Sequence, residues 1–161
     1  MSGYKEHLEK QLAAKADAEN KAKADAIQKK ERQAASLVDG KAWLEQTILP
    51  ELQEAKSDLD GHIRIDFSNQ VTQRQLKSGM VNEVTFTVNP WESRGGFRSH
   101  IFAICTGEDE NAWIEARQPS EDGWGDAYKV VGTDQADSFH KIKAADFQKY
   151  LKGRIDSVLS R

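Results

Sequence analysis

The spacing of apolar positions along this chain changes character twice. Between residues 5 and 36 large apolar side chains are sparse, set in a background of Ala, Lys, Glu, Asp and Gln without Gly or Pro. Such a composition carries high helix propensity. Stepping 100° per residue gathers Tyr4, Leu8, Leu12, Ala16, Ala26, Ile27, Ala34 and Leu37 into one broad arc, a thin face built mostly of alanine. The repeat is not a heptad, because the seam positions after Leu8 and Leu12 fall on Lys15 and Glu19. The pattern predicts a long polar helix over about 4–38, coiled-coil-like in composition but not a leucine zipper.

From residue 41 the arc continues with heavier side chains: Leu44, Ile48, Leu52, Ala55 and Leu59 share a face. Burying the four large aliphatics contributes roughly 6–12 kcal/mol, comparable with the net stability of a whole domain. This segment, about 41–59, is therefore expected to be core. Pro50 removes a backbone donor and crowds the preceding turn, so a kink is expected near 46–50. Asp39 is a candidate N-cap, Gly40 a candidate bend and Gly61 the C-terminal cap.

Residues 62–132 adopt a period of two. Ile63, Ile65 and Phe67 alternate with Arg64 and Asp66, and Val84, Phe86 and Val88 with Thr85 and Thr87, as half-buried strands do. The run 100–105 (HIFAIC) is apolar on both faces and reads as a central strand, followed by strands at 112–117 and 127–132. Residues 70–79 read equally as an edge strand or a loop. Phe147, Leu151, Ile155, Val158 and Leu159 then form the apolar face of a closing helix. The expected fold is α+β: a polar helical arm (1–40), then a compact α-β(4–5)-α domain (41–161). In it a kinked core helix and a C-terminal helix cover one face of an antiparallel meander of four to five strands.

Composition narrows function mainly by exclusion. The chain has 161 residues, 23 Lys and Arg against 26 Asp and Glu, and a net charge of −3. There is thus no global basic field to recruit nucleic acid. The one cysteine, Cys105, lies inside the apolar run and reads as a core thiol. No apolar run is long enough to span a bilayer and the N-terminus lacks the apolar core of a secretion signal, so a cytoplasmic protein without membrane association is expected. His7, His62, His100 and His140 have no metal-ligand spacing, and no phosphate loop or nucleophile elbow occurs. No metal, cofactor or catalytic residue is expected. The acidic stretch from Glu108 to Asp126 reads as solvated hairpin turns. Trp113 shares a strand face with Glu115 and Arg117.

Two functional readings follow. One is a non-catalytic interaction module that binds a protein partner or forms a weak dimer through Leu8, Leu12 and Ile27 of the arm. The alternative is a ligand-binding domain for nucleic acid or a small anion, using the open sheet face and the 89–100 loop. There Trp91, Arg94, Arg98 and His100 surround Gly95 and Gly96, a combination suited to stacking a base or gripping an anion.

Overall fold

The computed structural model describes residues 3–92, 100–119, 128–134 and 136–160. The chain divides into two units, Met1–Ala35 and Ser36–Arg161. The first is helical throughout its described residues, as part of helix α1 (Gly3–Trp43). At 1.5 Å per residue, residues 3–35 make a rod about 50 Å long.

In the second unit, the end of α1 passes into a π turn (Leu44–Ile48) and then into α2 (Leu49–Asp58). The irregularity expected near Pro50 is this π turn. The Leu49 N–H reaches back five residues to the Leu44 carbonyl, so Pro50 enters in the first turn of a new α segment. There its missing N–H and its ring are tolerated. Gly61, at φ +86°, follows the helix end as expected of a left-handed cap residue.

Among the described residues, one antiparallel sheet contains β1 (Ile63–Phe67), β2 (Thr72–Leu76), β3 (Gly79–Pro90), β4 (Ile101–Thr106), β5 (Asn111–Pro119), β6 (Tyr128–Thr133) and β7 (Asp137–Ser138). Its order is β1-β3-β4-β5-β6, the meander read from the sequence. Two short strands extend it: β2 lies beside β3, so that residues 72–76 of the ambiguous 70–79 stretch are a strand and 77–78 a turn into β3, and β7 lies beside β5. One edge of the long strand β3 thus carries β1 and β2 in succession. Ser68 bridges the gap between them by donating its N–H to the Thr85 carbonyl and accepting the Thr85 N–H on Oγ. A short 3-10 turn (Phe139–Lys141) leads to α3 (Ala144–Leu159).

The core lies between helices and sheet. Leu44, Ile48 and Leu52 meet Phe147, Leu151 and Val158 of α3 over Ile65, Val84, Phe86, Phe102 and Ile104. The α3 stripe was read one residue too far, since Leu159 is 68% exposed. At 100° per residue it stands about 120° from Phe147, whereas Val158 stands about 20° away. Trp43 is half-buried on the flank of its helix, with its indole N–H donated to the Ile142 carbonyl at 3.2 Å and its ring 6.0 Å from that of Phe139.

Helix α1 runs through Gly40 unbroken. The role of this glycine is close approach. A Cβ at this position would lie 2.5 Å from Thr106 Oγ1 and 2.9 Å from Thr106 Cβ. Around this contact, Asn82 Nδ2 donates to the Leu37 carbonyl at 2.8 Å, and Ser36 Oγ donates to the Gly107 carbonyl while accepting the Glu110 N–H. Helix propensity alone favours Ala over Gly by about 1 kcal/mol. Gly40→Ala is nevertheless expected to lower stability by about 1–3 kcal/mol, the usual cost of overpacking. Denaturant unfolding measures this, and a variant as stable as wild type would mean that the helix is free to ride clear of Thr106.

Candidate functional site

The helical unit has no core of its own. From residue 3 to residue 35 every position is exposed except the half-buried Gln33. Leu8, Leu12 and Ile27, the residues expected to mediate self-association, are 57%, 57% and 58% exposed, and Tyr4 stands more open still. Projected at 100° per residue, the arc that holds Tyr4, Leu8 and Leu12 also holds Lys5, Lys15, Lys23 and Lys30, with Glu19 its single acid. Of the remaining acids of this unit, Glu9 projects from the edge of the arc in line with Ile27, and Glu6, Asp17, Asp25 and Glu31 project from outside it. The apolar arc is therefore basic as well as thin, a feature the hydropathy pattern alone does not reveal.

On the compact unit, a groove of about 350 Å³ runs between α2 and α3. Ala55, Leu59, Leu151 and Ile155 line it together with Glu51, Glu54, Asp58 and Lys152, so its walls carry three carboxylates and one ammonium. Gln148 Nε2 donates to Glu51 Oε2 at 2.8 Å across it. A second pocket, of about 270 Å³, opens beside Tyr150 among Trp43, Ile48, Ile142 and Phe147. Burial there pushes the Tyr150 hydroxyl up to about 12; the nearby Arg154 charge opposes the shift, while the Asp134 carboxylate adds to it.

The sheet face away from the helices holds a cluster of buried charges. Arg117 Nη2 lies 2.7 Å from both Glu83 Oε2 and Glu115 Oε2, and Arg117 Nε donates to Glu115 Oε2 at 3.0 Å. Arg74 of β2 reaches the same two carboxylates at 3.3 and 3.4 Å. The Trp113 indole N–H donates to Glu115 Oε1. Burial by itself would raise the Glu115 carboxyl, but hydrogen bonds from Trp113 and Arg117 and the charges of Arg117 and Arg74 outweigh it and hold the group below its ordinary range. Glu115 is thus buried, not part of a solvated acidic turn. The register that pairs Glu83 with Cys105 and Cys105 with Trp113 draws these residues together from three strands.

Cys105, fully buried as read from the sequence, sits at the centre of this face. Burial, reinforced by the two carboxylates, pushes its thiol up to about 12. A thiol held neutral in this way is no nucleophile.

The structure gives Trp91 and His100 separate partners. Trp91 follows β3, 38% exposed, with the Arg64 guanidinium of β1 5.5 Å from its ring. His100 precedes β4; its ring lies 6.4 Å from that of Phe102, and its Nε2 is 3.1 Å from Gln118 Nε2 on β5. One residue engages the β1 side of the β3–β4 pair and the other the β5 side. Arg94 and Arg98 lie outside the described residues, as does the GWG sequence at 123–125. Among the described residues no helix is long and apolar enough to cross a membrane. Comparison of the chain with protein-family models, curated proteins and solved structures gave no match.

Proposed function

We propose that this chain is a non-catalytic interaction module, in which the helix of residues 3–35 associates with a second copy or with a partner protein and the α+β unit serves as a rigid platform. The reading rests on one observation. A helix of about nine turns, with no core in its own unit, displays Tyr4, Leu8, Leu12 and Ile27 to solvent along one side. Polar helices of this kind gain most of their stability from what they pack against. The neutral, buried thiol of Cys105 suits a cytoplasmic setting, and the arm's mixture of alanine and lysine suits a reversible contact more than a permanent one.

Each alanine contact is worth little, so self-association is expected in the micromolar range or weaker, about 8 kcal/mol or less. Sedimentation velocity on the full chain across a concentration series measures it. The wild type is expected to move from monomer to dimer, and Leu8→Ser/Leu12→Ser/Ile27→Ser to remain monomeric. A wild-type chain that is still monomeric at about 1 mM would remove self-association from the reading. The alternative, a ligand site at the 89–100 loop, is supported among the described residues only by Trp91, whose ring already faces the Arg64 cation.

A further inference from the structure

The two units differ in charge in a way the total conceals. Residues 3–35 hold eight Lys and Arg against six Asp and Glu, so the remainder of the chain, residues 36–161, carries a net −5. On the helical unit four of the seven lysines, Lys5, Lys15, Lys23 and Lys30, lie on the apolar arc, with Lys5 and Lys15 bracketing Leu8 and Leu12 along the chain. On the compact unit the α2–α3 groove has the inverse character: an apolar floor of Ala55, Leu59, Leu151 and Ile155, with Glu54 and Asp58 exposed along its α2 wall.

We propose that the N-terminal helix of one copy docks along the α2–α3 groove of a second copy, with Tyr4, Leu8 and Leu12 on the apolar floor and Lys5 and Lys15 beside Glu54 and Asp58. This rests on the self-association reading above and names its contact surface. The apolar spans agree. Tyr4 to Leu12 spans eight residues of helix, about 12 Å, and so does Glu51 to Leu59 along the groove. The occupant is a helix because a cleft between two helices takes a third helix through side chains at i, i+4 and i+8, the spacing of Tyr4, Leu8 and Leu12. It is a basic helix because the exposed Glu54 and Asp58 beside an apolar floor disfavour an acidic helix and steer a lysine-bearing one. An arm-to-arm contact, by contrast, sets Lys5, Lys15, Lys23 and Lys30 of one helix against their equivalents on the other.

A charge exchange on the full-length chain tests this. Lys5, Lys15, Glu54 and Asp58 are all exposed, so their replacement leaves the core untouched, and thermal melts of each variant check the fold. Glu54→Lys/Asp58→Lys is expected to weaken self-association at least tenfold, as is Lys5→Glu/Lys15→Glu, whereas a chain carrying all four changes is expected to return to within about threefold of wild type. The two double variants, each weak alone, are expected to associate when mixed. Added salt is expected to weaken the wild type. If both double variants associate as wild type does while Leu8→Ser/Leu12→Ser/Ile27→Ser does not, the arm pairs with another arm; the docking proposal is then wrong and the interaction module stands. If the four-change chain stays as weak as the double variants, the groove is not the lysines' partner. If the wild type shows no association at all, the docking proposal and the self-association reading fail together.

Discussion

Arg117→Met is expected to destabilise the compact unit by about 3–5 kcal/mol, the cost of leaving buried carboxylates without their cation. The Arg117 side chain is 9% exposed and its guanidinium lies 2.7 Å from Glu83 and from Glu115, while the remaining cation, Arg74, sits farther from both and its side chain is a third exposed. Methionine fills a similar volume, so the loss is electrostatic and not a cavity effect. It follows that Glu83→Gln/Glu115→Gln/Arg117→Met, with the charges removed together, is expected to recover at least half of the deficit. Acid provides a second check. Glu115 is depressed in the folded state, so its contribution is present above its ordinary value of 4.5 and lost as pH falls through the lower folded value. Below about pH 4 the wild type is therefore expected to lose stability faster than Glu115→Gln, and the gap between wild type and Arg117→Met to narrow as the stranded Glu115 carboxylate takes up its proton. Urea unfolding at several pH values gives these differences directly. An Arg117→Met deficit under about 1 kcal/mol would place the cluster in contact with water.

This cluster also marks the limit of what was legible in the sequence. Helices and strands announce themselves because burial imposes a period on a single segment: Leu44, Ile48 and Leu52 repeat every four residues, and Ile63, Ile65 and Phe67 every two. Both patterns lead to the observed layers. The charges of Glu83, Glu115 and Arg117 are joined by the register between β3, β4 and β5, and no segment taken alone encodes that register. Trp113, Glu115 and Arg117 could be placed on one face, but whether it was wet or buried depended on Glu83 and Arg74, which arrive from 32 and 41 residues upstream of Glu115. Gly40 was visible as an irregularity, but its close approach was not legible for the same reason, since the atom it accommodates is Thr106 Oγ1 on β4. For the candidate surface, Leu8, Leu12 and Ile27 were legible as a face. The acidic groove was not, because half of its lining comes from α2 and half from α3.

The first unit and the start of the second differ most in what their removal is expected to do. A chain beginning at Ser36 is expected to melt cooperatively, near the temperature of the full chain, whereas one beginning at His62 is expected to have no cooperative transition. Leu44, Ile48 and Leu52 are each at most 1% exposed, so their burial alone contributes about 5–9 kcal/mol. That matches or exceeds the net stability of many domains of this size. Their loss would also open the apolar face of β1, β3 and β4, where Ile65, Val84, Phe86 and Ile104 are themselves fully buried. A start at Lys41 separates packing from pinning. It keeps the three aliphatics but removes the Ser36 hydroxyl, leaving the Glu110 N–H without its acceptor, and deletes the Leu37 carbonyl that accepts from Asn82. With the bond from Ser36 to the Gly107 carbonyl, three hydrogen bonds are lost, at a cost of about 1.5–4.5 kcal/mol together, so this chain is expected to fold with a lower melting temperature. Circular dichroism melts of the three shortened chains order them as Ser36, then Lys41, then His62. A cooperative melt from residues 62–161 would show that α3 alone suffices to cover the sheet, and the π turn and α2 would then belong to the interaction element instead of the core.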